Sequence, residues 1–127
     1  MQPTRRDFLN LAGGAMLTAG ALAGTKRAAA ANDRIQFAGI GLRSRGWALT
    51  RSAHASGLAD IAALCDVDRN VLEKRAADVK ELTGKTPRLY QDVRELYADE
   101  GIDAVAVAAP NHWHVLAAIW AMQAGKD

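Results

Sequence analysis

The feature that most constrains this chain is a glycine turn after a short apolar stretch. Residues Ile35 to Gly39 form the apolar segment, Gly41 follows, and a helix-compatible stretch begins near Arg45. A strand, a Gly-x-Gly turn and a helix in this order open a dinucleotide-binding unit. The first glycine permits a tight turn, and the second lets a pyrophosphate approach the backbone. The helix start would present its unpaired N–H groups to the phosphates.

The glycine pattern is incomplete. Ser44 occupies the third glycine position of the dinucleotide-binding fingerprint, and Gly46 follows two residues later. A Gly-x-Gly pair on its own is also common in ordinary tight turns. The turn therefore leaves two interpretations open, a cofactor site and a simple reversal of the chain.

Apolar runs alternate with helical patterns along the rest of the chain. Predicted strands cover residues 35–39, 60–66, 88–90 and 104–109, and predicted helices begin near Arg45, after Asp68, after Asp92 and after Asn111. Asp68, Asp92 and Asn111 are the predicted caps, and Gly125 is predicted to follow the last helix. Alternating strands and helices predict an α/β fold, a Rossmann-type doubly wound parallel sheet with strand order 3-2-1-4.

Helical spacing also predicts which residues face the core. The first helix would bury Trp47, Ala48, Leu49, Ser52 and Ala53, the second Leu72, Ala76 and Val79, the third Val93, Leu96 and Tyr97, and the last Val115, Leu116, Ile119, Trp120 and Met122.

The first 31 residues are predicted to be an export signal and not part of the folded domain. Arg5 and Arg6 precede Phe-Leu, a weakly apolar Gly/Ala/Leu segment follows, and four alanines end the stretch. This arrangement resembles a bacterial twin-arginine signal, which implies the Tat translocase as a partner and a periplasmic location. A membrane anchor is the alternative, but the apolar segment is short for a span. We therefore expect a signal at 1–31 and a Rossmann domain at 32–127.

Charge and cysteine content argue against a nucleic-acid partner and an internal disulfide. Without the predicted signal the chain carries 12 basic and 13 acidic side chains, so its basic character belongs mostly to the signal. We therefore expect no nucleic-acid partner. Cys65 is the only cysteine, which excludes an internal disulfide.

An acidic residue ends the second predicted strand. Asp66 would lie beside the glycine turn, where a carboxylate can accept hydrogen bonds from both ribose hydroxyls of an adenosine. A carboxylate there would repel a 2′-phosphate, so the sequence favours NAD, although Arg43 or Arg69 could offset the repulsion and NADP stays possible. Alternatively, Asp66 caps the next helix, a role for which Asp68 is also available.

Several segments together resemble the N-terminal domain of the Gfo/Idh/MocA oxidoreductases. They are Ala-Gly-Ile-Gly at 38–41, Ala-Leu-Cys-Asp-Val-Asp at 63–68, Tyr-Gln-Asp at 90–92, Pro-Asn-His-Trp-His at 110–114 and Ala-Gly-Lys-Asp at 124–127. The resemblance covers residues 34–127. It implies an NAD(P)-binding domain of an enzyme that transfers hydride between a nicotinamide cofactor and a sugar or cyclitol.

The resemblance also implies a set of cofactor-binding residues. Gly39, Gly41 and Ser44 would lie at the pyrophosphate, with Leu42 and Arg43 in the same turn, Asp66 would bind the adenosine ribose, and Pro110, Asn111 and His114 would lie near the nicotinamide ribose. Two residues depart from the family pattern. Ser44 would either loosen the helix–strand packing or add a hydroxyl to a phosphate. Ala109 replaces a threonine and removes a hydroxyl from its loop.

The resemblance further implies a longer protein. In the family a fifth strand and a Glu-Lys-Pro segment follow this point, and a C-terminal α+β domain binds the sugar-like substrate and builds a homo-oligomer. We therefore interpret the chain as truncated before the fifth strand, with no catalytic residue and no metal site of its own.

Two other functions remain open. One is an S-adenosylmethionine-binding, methyltransferase-like fold, which also has a glycine turn and an acid after the second strand. The other is an exported binding module that has lost the chemistry.

Overall fold

A computed structural model describes residues 34–127, so the predicted export signal lies outside the described residues. Within 34–127 no helix is long and apolar enough to cross a membrane. The elements are β1 (Ile35–Ile40), α1 (Ser44–Ala55), β2 (Ala59–Cys65), α2 (Arg69–Thr83), β3 (Arg88–Tyr90), α3 (Val93–Ala98), β4 (Ala104–Val107) and α4 (Asn111–Gln123).

The four strands form one parallel sheet in the order β3-β2-β1-β4, as predicted. Two apolar clusters flank it, as expected for a doubly wound sheet. One cluster joins α2 to the sheet and contains Leu42, Ile61, Leu64, Leu72 and Val79. The other joins α3 and α4 and contains Ala38, Ile40, Ala63, Cys65, Leu96, Tyr97, Ile102 and Ala121. The Tyr97 hydroxyl donates to the Ala117 carbonyl at 2.8 Å and so links α3 to α4.

Two of the three predicted helix caps are confirmed. The Asp68 side chain accepts from the backbone N–H of Asn70, and the Asp92 side chain accepts from that of Arg94. The prediction for Asn111 is wrong, because Pro110 occupies the cap position and Asn111 is the first helical residue. Proline has no side-chain acceptor, so the N–H groups of this first turn receive no side-chain cap.

The predicted core face of α1 is only partly correct. Gly46 and Thr50 are its buried residues, whereas Ala48 and Ser52 are exposed. The helix lies so close to the sheet that only small residues fit at the contact, and the bulkier Trp47 and Leu49 lie half-buried at its sides. The predicted face of α2 is confirmed for Leu72 and Val79, which are buried, whereas Ala76 is half-buried.

The predicted core face of α4 is also wrong for its large residues. Ala117 and Ala121 are buried against the rest of the described chain and Trp120 is half-buried. The other large apolar residues of this predicted face are exposed: Val115, Leu116, Ile119 and Met122. As in α1, the residues of α4 that lie closest to the rest of the fold have small side chains. The spacing of apolar residues does not predict which of them make this contact.

Backbone pairing continues along the free side of β4. Asp127 donates its N–H to the Asp103 carbonyl at 3.0 Å, and its own carbonyl accepts the N–H of Val105 at 2.8 Å. The buried ammonium of Lys126 donates to the carbonyls of Asp99 and Ile102 at 2.7 and 2.8 Å. These contacts satisfy the backbone at the end of α3 and hold the last residues beside β4.

Candidate functional site

The glycine turn lies between the carboxyl ends of β2 and β4. Gly41 has a positive φ of 77°, and its N–H donates to the Cys65 carbonyl at 2.9 Å. A Cβ atom at Gly41 would lie 2.7 Å from the carbonyl oxygen of Ala108. Both the backbone conformation and the close neighbour therefore require glycine at this position.

A second glycine brings helix α1 onto this turn. A Cβ atom at Gly46 would lie only 1.6 Å from the carbonyl oxygen of Gly41. One turn later, the Thr50 hydroxyl donates to the Gly46 carbonyl at 2.8 Å, and a Cβ atom at Gly39 would meet that hydroxyl at 2.3 Å. Gly46 therefore makes the close helix contact that the fingerprint's third glycine provides. The expectation that Ser44 loosens the packing is wrong, because the tight contact lies two residues further on.

The first turn of α1 presents unpaired backbone donors. The N–H groups of Ser44, Arg45 and Gly46 have no hydrogen-bond acceptor among residues 34–127, and Arg43 at the cap position makes no side-chain cap. All three residues line the same cleft. Free N–H groups and the positive end of the helix dipole favour an anion at this point.

Asp66 fastens the turn from the neighbouring strand. One carboxylate oxygen accepts the N–H of Leu42 at 2.8 Å, and the other accepts the N–H of Asp68 at 3.0 Å. Asp68, and not Asp66, caps α2. The Asp66 residue is only 8% exposed, yet it lines the cleft. Each oxygen retains a lone pair after these bonds, so the carboxylate can still accept from a ligand.

An arginine on α2 holds the other side of the turn. Arg75 donates its Nε–H to the Leu42 carbonyl at 3.1 Å and pairs with Asp78 at 2.8 Å. Its guanidinium also lies over the Trp47 ring, 4.7 Å from the centroid. The Leu42 side chain is fully buried, so both backbone groups of this residue are bonded and its side chain is packed. Nothing in the local sequence spacing indicated this contact, which joins residues 33 positions apart.

These groups surround a cleft of about 910 Å³ at the carboxyl ends of the strands. Among the sequence-predicted residues, Gly41, Arg43, Ser44, Asp66 and Pro110 line it. Gly39, Leu42, Asn111 and His114 are not among the lining residues. Leu42 is buried within the turn, Gly39 faces Thr50 of α1, and Asn111 and His114 are exposed. Their roles as cofactor ligands stay predictions.

Several residues that line the cleft are not among the predicted cofactor ligands. The residues that line it beyond the predicted ligands include Val67, Asp68, Gln91, Asp92, Arg94, His112 and Trp113. The rule that ligands bind beyond the carboxyl ends of parallel strands identifies these residues, because they follow β2, β3 and β4.

The thiol of Cys65 and the carboxylate of Asp92, which both line the cleft, have shifted pKa values. Burial, with smaller contributions from the carboxylates of Asp66, Asp92 and Glu95, raises the pKa of the Cys65 thiol to about 12. The thiol is therefore protonated at neutral pH and is a poor nucleophile. Hydrogen bonds from Arg94 lower the pKa of Asp92 to about 2. Residues 34–127 contain no group of three or more histidine, cysteine, aspartate or glutamate side chains arranged to hold a metal ion.

The residues present fit a dinucleotide. Glycine at Gly41 leaves the backbone bare, the first turn of α1 offers free donors, and the Asp66 carboxylate keeps acceptor capacity at the neighbouring strand end. These three features match the needs of a pyrophosphate and an adjoining ribose.

Residues 20–127 match the family model of GFO_IDH_MocA, described as an oxidoreductase family with an NAD-binding Rossmann fold. The chain belongs to the Gfo/Idh/MocA family. It is therefore an NAD(P)-binding domain of the oxidoreductase type, and the methyltransferase alternative is not favoured.

Curated relatives include a glycosyl hydrolase family 109 protein from Stenotrophomonas maltophilia, 34% identical over 95% of this chain and 28% of that protein. Another is an alpha-N-acetylgalactosaminidase from Tannerella forsythia, 28% identical over 98% of this chain and 31% of that protein. The chain thus spans less than a third of the length of these relatives.

Solved structures show the same relationship. An NAD-binding oxidoreductase from Klebsiella pneumoniae is 28% identical, with a TM-score of 0.63 over 74% of this chain and 26% of that one. The myo-inositol 2-dehydrogenase from Lactobacillus plantarum is also 28% identical, with the same TM-score and the same coverage of both chains.

We expect the contact between Gly46 and Gly41 to control the shape of the cleft. Gly46→Ala would place a methyl group against a backbone carbonyl, so we expect a loss of at least about 3 kcal/mol in the free energy of unfolding. Urea denaturation measures this loss, and titration with NAD measures the accompanying loss of affinity. Gly57→Ala is the control, because a Cβ there meets no atom within 4 Å and only the positive φ of 76° is strained. We expect about 1 to 2 kcal/mol for the control. Equal losses in the two variants would contradict the role of the contact.

Proposed function

We propose that the cleft binds NAD, with its adenosine half held at the glycine turn and Asp66. The observation that carries the proposal is that one cleft is lined by three N–H groups without an acceptor among residues 34–127, the bare backbone of Gly41 and the Asp66 carboxylate. The donors suit a pyrophosphate and the carboxylate suits a ribose diol. Bound there, the cofactor supplies hydride-transfer chemistry.

Each part of the proposed site has a distinct task. Ser44 to Gly46 would bind the pyrophosphate through backbone N–H groups, while Gly41 allows its close approach. Asp66 would accept hydrogen bonds from the adenosine ribose with its remaining lone pairs. Pro110, Asn111 and His114 would lie on the nicotinamide side, since the start of α4 follows β4 at the edge of the sheet beyond β1. The preference for NAD follows from the negative charge of Asp66.

We expect Asp66→Ala to weaken NAD binding at least about tenfold, because one hydrogen bond to a charged group is worth about 1.5 to 3 kcal/mol. Isothermal titration calorimetry with NAD measures the effect. The substitution also removes the acceptor for the Leu42 and Asp68 N–H groups. Thermal unfolding of the unliganded variant must therefore be recorded alongside.

Asp60→Ala is the matched control for this experiment. Asp60 lies at the opposite end of the same strand and pairs with Arg34 and Lys85, away from the cleft. We expect NAD affinity to be unchanged in this variant. No measurable affinity of the native chain for NAD or NADP, or unchanged affinity in Asp66→Ala, would overturn the proposal.

We propose further that the chain is the N-terminal part of a longer oxidoreductase that transfers hydride between NAD and a sugar or cyclitol. Supporting it are the family membership and the myo-inositol dehydrogenase among the similar structures. Hydride transfer needs an acid or base within hydrogen-bonding distance of the reacting hydroxyl. We expect a downstream Glu-Lys-Pro segment to supply it, and a C-terminal domain to bind substrate and form a homo-oligomer.

We expect the complete protein, incubated with NAD and a panel of inositols and aldohexoses, to produce reduced nicotinamide. Absorbance of the reduced cofactor measures it, and the reading frame after Asp127 shows whether the predicted lysine is encoded. Cleavage of a glycoside is a second candidate, favoured by the names of the two curated relatives. A chromogenic α-N-acetylgalactosaminide distinguishes the two, because hydrolysis would release the chromophore without net cofactor reduction. If the complete protein shows neither cofactor reduction nor glycoside hydrolysis, and the Glu-Lys-Pro lysine is not encoded, the results favour the non-catalytic binding module.

We also propose export to the periplasm through the Tat translocase, supported by the paired Arg5 and Arg6 in the sequence. The pathway reads the arginine pair as an address, so lysine does not replace it despite the same charge. We expect the double variant Arg5→Lys, Arg6→Lys to stay in the cytoplasm, as measured by fractionation of the native host. Arg27→Lys, outside the pair, is the control and should be exported. Export of the double variant would argue against the Tat route.

A further inference from the structure

Three charged residues lie together at the edge of the cleft where β2 ends. Asp66 follows the strand directly and Asp68 lies two residues further on. Arg43 reaches across from the glycine turn to pair with Asp68 at 2.7 Å. All three line the cleft. The Arg43 side chain is 73% exposed, so the guanidinium is held on the surface and not buried.

The two carboxylate oxygens of Asp68 have separate partners. Oδ1 accepts the N–H of Asn70 at 3.0 Å and caps α2, whereas Oδ2 accepts from the guanidinium of Arg43. The helix cap therefore needs one oxygen, and the ion pair needs the other oxygen and the negative charge. A substitution that keeps the first oxygen and removes the charge separates the two roles.

We propose that Asp68, through its ion pair with Arg43, makes this site prefer NAD over NADP. The inference rests on the proposed dinucleotide function and names a second residue, beside Asp66, that makes the site favour NAD. NADP differs from NAD by a 2′-phosphate on the adenosine ribose, close to the acid that ends β2. In this chain the phosphate would meet two carboxylates and an arginine that is already paired.

No other cleft-lining arginine within residues 34–127 is available to bind a 2′-phosphate at this edge. Arg94 pairs with Asp92 at 2.6 Å, and Arg45 lies in the first turn of α1, beside the free N–H groups. Arg69 pairs with Glu73 at 2.9 Å and is not among the lining residues. The charge that a 2′-phosphate would meet at this edge of the cleft is therefore set by Asp66, Asp68 and Arg43.

Asp66 is the less informative residue to change. Both of its oxygens hold backbone N–H groups of the turn and of the loop after β2, so its loss alters the shape of the site for either cofactor. Asp68 makes no bond to the glycine-turn backbone among the described residues. An exposed ion pair is worth at most about 1 kcal/mol, so Arg43 is readily released when the charge of Asp68 is removed.

Asp68→Asn tests the proposal. Asparagine caps helices as well as aspartate, so α2 retains its cap while the charge is lost. We expect the NADP affinity of the full chain to rise about tenfold, the size of one charge–charge interaction with a dianion at a solvated site, and NAD affinity to change less than about twofold. Calorimetric titrations with NADP and with NAD measure both.

Two further variants give the controls. Glu73→Gln removes the partner of Arg69 on the outer face of α2, and we expect no change in NADP affinity. In the double variant Asp68→Asn, Arg43→Gln, the gain from Asp68→Asn should be largely lost, because the released guanidinium is the new phosphate ligand.

The results separate this inference from the function beneath it. NAD binding by the native chain with a selective NADP gain in Asp68→Asn supports both. NAD binding by the native chain with no NADP gain in Asp68→Asn, or the same gain in Glu73→Gln, overturns the role of Asp68 alone. A gain retained in the double variant overturns the part assigned to Arg43. No binding of either dinucleotide to any variant overturns the proposed function and this inference together.

Discussion

The cleft depends on one close contact, in which helix α1 packs against the backbone of the glycine turn. Gly46 lies so near the Gly41 carbonyl that no side chain fits between them. This approach brings the first turn of α1, whose N–H groups have no acceptor within residues 34–127, to the carboxyl ends of the strands. A bulkier residue would move the helix away and take the donors with it. The helix dipole and the bare backbone act on the same ligand only because of this contact.

Polar tethers hold the turn in place on either side. Asp66 binds the Leu42 N–H from the end of β2, and Arg75 binds the Leu42 carbonyl from α2. The buried Leu42 side chain anchors the same residue in the core. A turn fastened through its backbone keeps its donors oriented before a ligand arrives, and less ordering entropy is then lost on binding.

Much of the architecture could be predicted from residue patterns. Strands such as Ile35–Ile40, whose second half is buried, are nearly continuous apolar runs, and the caps Asp68 and Asp92 stand immediately before their helices. These signals are local, so they can be recognised without knowledge of the tertiary contacts. The faces of α1 and α4 could not be predicted in the same way. Their buried positions are held by Gly46, Thr50, Ala117 and Ala121, and hydrophobicity alone does not rank small residues above Leu116 or Ile119.

Local residue patterns predicted the order of helices and strands, the parallel sheet, the glycine turn and the acid that ends β2. Each of these features is indicated by residues close together in the sequence. Only the tertiary structure determines that Gly46 makes the contact expected of the third glycine, that Asp66 binds the Leu42 N–H, and that Arg43 pairs with Asp68. Those outcomes depend on distances between residues far apart in the chain. Local patterns do not contain such distances, since only the packing of helices onto the sheet creates them.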